Sequence, residues 1–109
     1  MTFTPTSQLL DAIVLCAARE EGTYGYKITQ DVRGVIEVSE STLYPVLRRL
    51  QKDNCLEVSD MEFGGRNRRY YRITPKGISL LGLYLEEWKL YKQRIDSVFF
   101  KRGDTCEQA

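Results

Sequence analysis

Histidine is missing from this 109-residue chain altogether. With it go the commonest general base and the commonest metal ligand. Cysteine is scarce: Cys16, Cys55 and Cys106 are odd in number and far apart. That fits neither a disulfide framework nor the ligand spacing of a zinc site, and it points to a reducing, cytoplasmic compartment. The glycine and lysine spacing of a phosphate-binding loop is absent around Gly64-Gly65. The acidic pairs Glu20-Glu21 and Glu86-Glu87 are adjacent, so their side chains diverge on a helix. No catalytic residue, metal or cofactor is expected, and the chain reads as a non-enzyme. No apolar run is long enough to span a bilayer. The N-terminus carries no basic region ahead of its short apolar run, so no signal peptide is expected.

Net charge is also nearly absent, with 16 basic residues against 15 acidic ones. The charge is concentrated instead. Between Gly64 and Gly77 stand Arg66, Arg68, Arg69, Arg72 and Lys76, with no acidic residue among them. Such local density in a near-neutral chain suits a surface that meets an anion, as a phosphate backbone is. The plainer reading of the same stretch is a solvated Arg-rich ribbon.

The length suits one domain with a modest core, which a partner subunit would help to stabilise. From Ser7 to Glu20, Leu9, Leu10, Ile13, Val14 and Ala17 recur at helical spacing, and Cys16 reads as a small core residue. Gly22 to Gly25 set a turn. A second helix is expected from Tyr26 to Val32, closed by Gly34, and then an extended connector from Val35 to Val38. The third helix is predicted from Ser39 or Ser41 to about Lys52. Leu43, Val46, Leu47 and Leu50 form its buried stripe. Ser41, Thr42, Tyr44, Arg48 and Arg49 occupy the other face, as on a helix that caps itself with hydroxyls and reaches phosphates or base edges. Pro45 favours the later start, because an earlier one puts it inside the helix and predicts a kink.

Asn54 is expected to stop that helix in a left-handed cap. Two strands follow. Leu56 and Val58 differ in parity from Met61 and Phe63, which predicts a bulge. Gly64-Gly65 supplies a hairpin turn, and Thr74-Pro75 starts another helix with a hydroxyl cap and a first-turn proline. Helix-helix-helix-strand-strand is the order of a winged helix-turn-helix, with the third helix in the major groove and the basic hairpin along the flanking backbone.

From Ile78 to Phe99 an apolar stripe runs through Ile78, Leu81, Leu85, Trp88, Ile95 and Phe99, broken at Lys92. Leu80, Leu83, Tyr84, Leu90, Tyr91 and Val98 widen it. A helix of about 25 residues spans about 37 Å. The preceding residues are too few to cover it, so it is expected to dimerise rather than to serve as a single-chain core helix. Trp88 reads either as interface packing or as half of a pair of indoles that sandwich a flat aromatic ligand across a twofold axis.

Two segments resemble the PadR family of transcriptional regulators. One is Ser41-Thr42-Leu43-Tyr44-Pro45-Val46-Leu47 with Leu50. The other is Gly64-Gly65-Arg66 with Arg68-Arg69-Tyr70-Tyr71, Ile73-Thr74 and Gly77. Tyr24-Gly25-Tyr26 with Ile28 resembles the start of that family's second helix. The likeness covers about residues 9 to 95, and it departs at Asn54, where the family usually has glycine. It implies a homodimeric repressor that binds a palindromic double-stranded operator, of the smaller subgroup with one C-terminal helix. In that subgroup small molecules are sensed at the dimer interface, and a tryptophan at the position of Trp88 lines a cavity flanked by Leu85 and Lys92.

The expected architecture is therefore mainly α with a small β-hairpin. A DNA-binding winged helix-turn-helix spans 1–74 (wing about 56–73), a dimerisation helix 75–101 and a disordered tail 102–109. The expected DNA contacts are Lys27, Ser41, Thr42, Tyr44, Pro45, Arg48, Arg49, Gly65, Arg66 and Arg68. A planar aromatic effector would meet Cys16, Leu85, Trp88 and Lys92. The dimer interface would comprise Leu9, Ile13, Ile78, Leu81, Leu85, Trp88, Ile95 and Phe99. Two other functions fit the residues: a winged helix whose basic wing docks an acidic protein, and a dimeric ligand-binding protein with weak DNA affinity.

Overall fold

The computed structural model describes residues 3–19 and 22–100, with Phe63 and Arg66 by backbone alone. Cys106 and the expected tail 102–109 lie outside the described residues. In chain order the elements are α1 (Ser7–Ala17), β1 (Thr23–Tyr24), α2 (Gly25–Arg33), α3 (Glu40–Lys52), β2 (Leu56–Phe63), β3 (Arg66–Ile73) and α4 (Pro75–Phe99). Four helices surround a three-stranded antiparallel sheet of order β1-β3-β2. This is the expected winged helix-turn-helix with a long last helix.

The core forms where the apolar stripes of the first three helices meet. Leu10, Val14 and Leu15 of α1, Ile28 and Val32 of α2, and Leu43, Val46, Leu47 and Leu50 of α3 are buried together. Leu56 and Tyr71 close it from the sheet and Leu81 from α4. Helix α1 turns slightly from the expected stripe, leaving Leu9, Ile13 and Cys16 half-buried. It also ends earlier than Glu20, because Arg19 N–H bonds back to the Cys16 carbonyl at 3.3 Å and tightens the last turn.

Ser39 is the N-cap of α3; its hydroxyl accepts from Thr42 N at 3.2 Å. The helix starts at Glu40, between the two expected positions, and runs unbroken through Pro45. The expected extended connector is shorter than foreseen. Val35 and Ile36 N–H both bond the Val32 carbonyl at 3.0 Å, winding the chain on past α2. At the end of α3, Asn54 has φ 64°. Asn54 N–H donates to Gln51 O at 3.0 Å and Cys55 N–H to Leu50 O at 2.8 Å. That is a Schellman cap with asparagine in the left-handed position, accompanied by contact of buried Cys55 with the end of the helix.

The expected bulge is absent. Strands β2 and β3 pair without interruption from Leu56↔Ile73 to Phe63↔Arg66. Parity changes because the ribbon outgrows the core: side chains from Ser59 to Glu62 and from Asn67 to Arg69 are all exposed. Met61 therefore sits on a solvent face and needs no extra residue to bring it inward. Gly64 (φ 55°) and Gly65 (φ 79°) form the two-residue turn, both left-handed as a type I′ turn requires. The sheet has a third strand that the sequence did not announce. Thr23 and Tyr24 pair with Tyr71 and Tyr70.

Of α4's 25 residues only Gly77 and Leu81 are buried. Gly77 lies where the helix starts against the root of the wing. A Cβ there would stand 2.3 Å from the Cys55 carbonyl oxygen and 2.8 Å from Ile73 Cγ1. Both neighbours are held in place, one by backbone pairing and one by the core. Gly77→Ala is therefore expected to destabilise the fold by about 1–3 kcal/mol through overpacking, measured by urea or thermal unfolding. A variant as stable as the wild type would show that this junction gives way freely.

Candidate nucleic-acid interface

The wing and the third helix face each other across an open cleft of 540 Å³. Helix α3 contributes Tyr44 and Arg48, the start of α2 contributes Tyr26, and the wing contributes Asn67, Arg68 and Arg69. These helix side chains project outward because Leu43, Val46, Leu47 and Leu50 take the opposite side of α3 into the core. Ser41, Thr42, Tyr44, Pro45 and Arg48 are all exposed. The hydroxyls of Ser41 and Thr42 gather on Ser39 Oγ, at 2.9 and 3.0 Å, making a polar cluster at the N-terminal end of the helix.

Pairing within the wing sorts its arginines. Arg69 stands opposite Asp60 and Arg72 opposite Glu57, whereas Arg68 stands opposite Met61 and Arg66 opposite Phe63. Opposite charges across strands neutralise and support one another. Arg68 has no acid directly opposite it, and its guanidinium Cζ lies 5.4 Å from the centroid of the Tyr24 ring. Gly65 sits at the exposed tip. The side chain of Arg66 lies outside the described residues.

Two of the expected DNA contacts pair with acids within the subunit. Arg49 follows Arg48 by one residue, which turns it about 100° around the helix toward α1. There its guanidinium pairs with the Asp11 carboxylate. Burial raises the Asp11 carboxyl above its ordinary range, and the Arg49 cation opposes that rise without cancelling it. Lys27 is exposed but pairs with Asp31 at 3.3 Å, one turn along α2. In the other direction, Tyr24, Tyr26, Asn67 and Arg69 line the cleft without having been singled out as contacts. The Tyr24-Gly25-Tyr26 segment was the available signal for the first two.

A second groove of 710 Å³ lies between α1 and α4. Leu9, Ile13 and Cys16 form one wall, and Tyr84, Leu85, Trp88 and Tyr91 form the other. The Trp88 and Tyr91 rings are 6.4 Å apart. Burial raises the Tyr84 phenol, and the Asp11 charge adds to this. Five residues expected at the ligand site or the dimer interface do not line this groove. Lys92 is not on the groove and pairs with Asp96 at 3.6 Å. Ile78 is exposed near the start of α4, and Leu81 is spent inside the subunit at 5% exposure. Ile95 is half-buried and Phe99 exposed, further along α4. The Cys55 thiol is buried and pushed up by that burial, with Lys76 pulling the other way. No helix of the described residues is long and apolar enough to cross a membrane.

This architecture recurs in known proteins. Residues 14–82 match the transcriptional regulator PadR-like family. An uncharacterised protein X of Lysinibacillus sphaericus is 38% identical over 93 residues, covering 80% of this chain and 84% of its own. The crystal structure of smu.1704 from Streptococcus mutans UA159 superposes with a TM-score of 0.85 at 33% identity, over 94% of this chain and 96% of that one. A PadR family transcription regulator from Clostridium difficile R20291 superposes with a TM-score of 0.75 at 26% identity, over 82% and 96%. The chain belongs to the transcriptional regulator PadR-like family, and is thus a DNA-binding regulator of transcription and not an enzyme.

Proposed function

We propose that the protein is a cytoplasmic, homodimeric repressor that binds a palindromic operator and is released by a planar aromatic ligand. The observation that carries the DNA-reading part is the cleft in which Tyr44 and Arg48 of α3 face Arg68 of the wing. In this reading α3 enters the major groove and β3 follows the adjoining phosphates. Arg48 has the fork that matches guanine O6 and N7. Ser41, Thr42 and Pro45 lie along the same exposed face, while Lys27, Gly65, Arg66 and Arg68 are assigned to phosphates. Arg49 is assigned instead to the contact between α1 and α3. Arg48→Ala is expected to remove about 1–3 kcal/mol of discrimination between a selected operator and random DNA. Arg49→Ala is expected mainly to lower the melting temperature, by an amount equivalent to about 1 kcal/mol or less. Gel-shift titrations and thermal melts of both variants separate the roles; equal loss on both DNAs in Arg48→Ala would leave only phosphate contact.

The division of labour falls at residue 74, with DNA reading in 1–74 and assembly in 75–101. What supports the dimer is the uncovered length of α4: Leu83, Leu85, Trp88, Leu90, Tyr91, Val98 and Phe99 are all exposed. An apolar area of that extent marks an interface. Leu9 and Ile13 on α1 extend the same surface. Leu85→Asp combined with Ile95→Asp is expected to give a monomer by sedimentation and to abolish operator binding, because two half-sites need a fixed twofold frame. An unaltered dimer would move the interface elsewhere.

The groove holding Cys16, Leu85 and Trp88 supports the ligand part of the reading. Trp88 is 44% exposed within the subunit, so its indole face is open to a flat ring. Stacking there contributes about 0.5–1.5 kcal/mol beyond burial. As the only tryptophan, Trp88 reports on its own surroundings. Titration with planar cationic dyes and phenolic acids is expected to quench its fluorescence, and Trp88→Ala to lose that binding. Affinities that survive the substitution, or a panel without any quencher, would leave Trp88 as packing alone.

A further inference from the structure

We infer that Tyr24 is a positioning residue for DNA binding: it holds the Arg68 guanidinium in the cleft, so that the wing and α3 present one preformed cationic surface. The inference rests on the reading that Arg68 meets DNA. Its starting point is the two-residue strand β1. By pairing Thr23 and Tyr24 with Tyr71 and Tyr70, this strand fastens the wing to the start of α2. The approach is close. A Cβ on Gly22 would fall 2.2 Å from the Tyr70 ring, so only a residue without a side chain lets the segment lie against the ribbon.

The side chains then stack in order. Tyr24 and Tyr70 are cross-strand partners, and their rings meet edge to face, with centroids 5.1 Å apart and planes at 77°. This pair fixes the plane of the half-buried Tyr24 ring. Arg68 lies two residues from Tyr70 on the same face of β3, and its Cζ stands 5.4 Å from the Tyr24 centroid. A guanidinium within about 6 Å of an aromatic face is attracted by the ring quadrupole. With Met61 rather than an acid opposite Arg68, the tyrosine ring holds the cation without neutralising it. A cross-strand carboxylate would hold it too, but would cancel the charge needed at a phosphate. The other arginines whose side chains are described on β3, Arg69 and Arg72, stand opposite acids. A free arginine at the end of an exposed ribbon must be ordered when DNA binds, and holding it beforehand removes that loss.

A double-mutant cycle tests this, using a duplex selected from random sequence by the wild-type protein. Arg68→Ala should lower affinity and reduce the salt slope by about one unit. Tyr24→Leu should weaken binding about two- to fivefold, in line with the strength of exposed cation–π contacts, while Tyr24→Phe, which keeps the ring, should bind as the wild type does. In the Arg68→Ala background, Tyr24→Leu should have no further effect. If Arg68→Ala changes neither affinity nor slope, the wing reading itself fails. If Arg68→Ala weakens binding but the two losses add, Tyr24 acts independently and the positioning inference alone is overturned. NMR of the free protein gives a measurement that does not depend on Tyr24→Leu folding. The Arg68 Cδ protons should be shifted upfield by the tyrosine ring in wild type and in Tyr24→Phe; random-coil shifts there would overturn the inference.

Discussion

Three consecutive backbone carbonyls, those of Asp53, Asn54 and Cys55, accept hydrogen bonds from the first residues of the last helix. Lys76 Nζ reaches Asp53 O at 2.8 Å, Thr74 Oγ1 reaches Asn54 O at 2.7 Å, and Thr74 N reaches Cys55 O at 3.1 Å. The left-handed Asn54 creates this row by ending α3 sharply and turning its last carbonyls outward. Groups left unpaired at such a junction cost about 1–3 kcal/mol each where they are buried. Thr74 has a double duty, because its hydroxyl also accepts from Gly77 N at 3.0 Å and so caps α4. One short segment thus ends α3, roots the wing and starts the long helix. The missing side chain of Gly77 lets all three come this close.

The wing's electrostatics depend on that root. Because β2 and β3 are held in register from Leu56↔Ile73 outward, every charged residue has a set partner across the ribbon. A slip of one residue would move each side chain to the other face. In the register observed, Arg69 and Arg72 stand opposite acids while Arg68 does not. The near-neutral charge of the chain and a locally cationic cleft are therefore compatible: the register sets Asp60 and Glu57 of β2 opposite Arg69 and Arg72 of β3 and leaves Arg68 opposite Met61.

Much of this was legible in the sequence. The stripe Leu43-Val46-Leu47-Leu50, the Thr74-Pro75 helix start, the left-handed Asn54 and the Gly64-Gly65 turn each express a local rule, and each is where that rule puts it. What was not legible is non-local. Strand β1 is two residues long, too short for any periodicity, and exists only because Tyr70 and Tyr71 come to meet it. The expected bulge assumed that the ribbon keeps one face on a core, which parity alone does not reveal. Arg48 and Arg49 look alike in sequence, and only the position of Asp11 on α1 separates them. Leu81 and Leu85 likewise share a stripe, but one falls where the core still reaches α4 and the other beyond it.

The same junction gives the proposed regulation a physical route. Helix α4 carries Trp88 in the groove against α1, and about three to four turns before it, at Lys76 and Thr74, it is bonded to the carbonyls just past the end of α3. Between those points runs an unbroken helix, which transmits rotation and translation rather than absorbing them. Helix α1 closes the loop, since it lines the groove through Ile13 and Cys16 and holds Arg49 of α3 through Asp11. Under the proposed reading, a ligand that parts α1 from α4 acts on the C-terminal end of α3 through two contacts at once. A palindromic operator is sensitive to such a change, because it fixes the separation of two reading helices to one helical turn of DNA. Release then requires only that the ligand bind better to the frame whose spacing fits DNA worse.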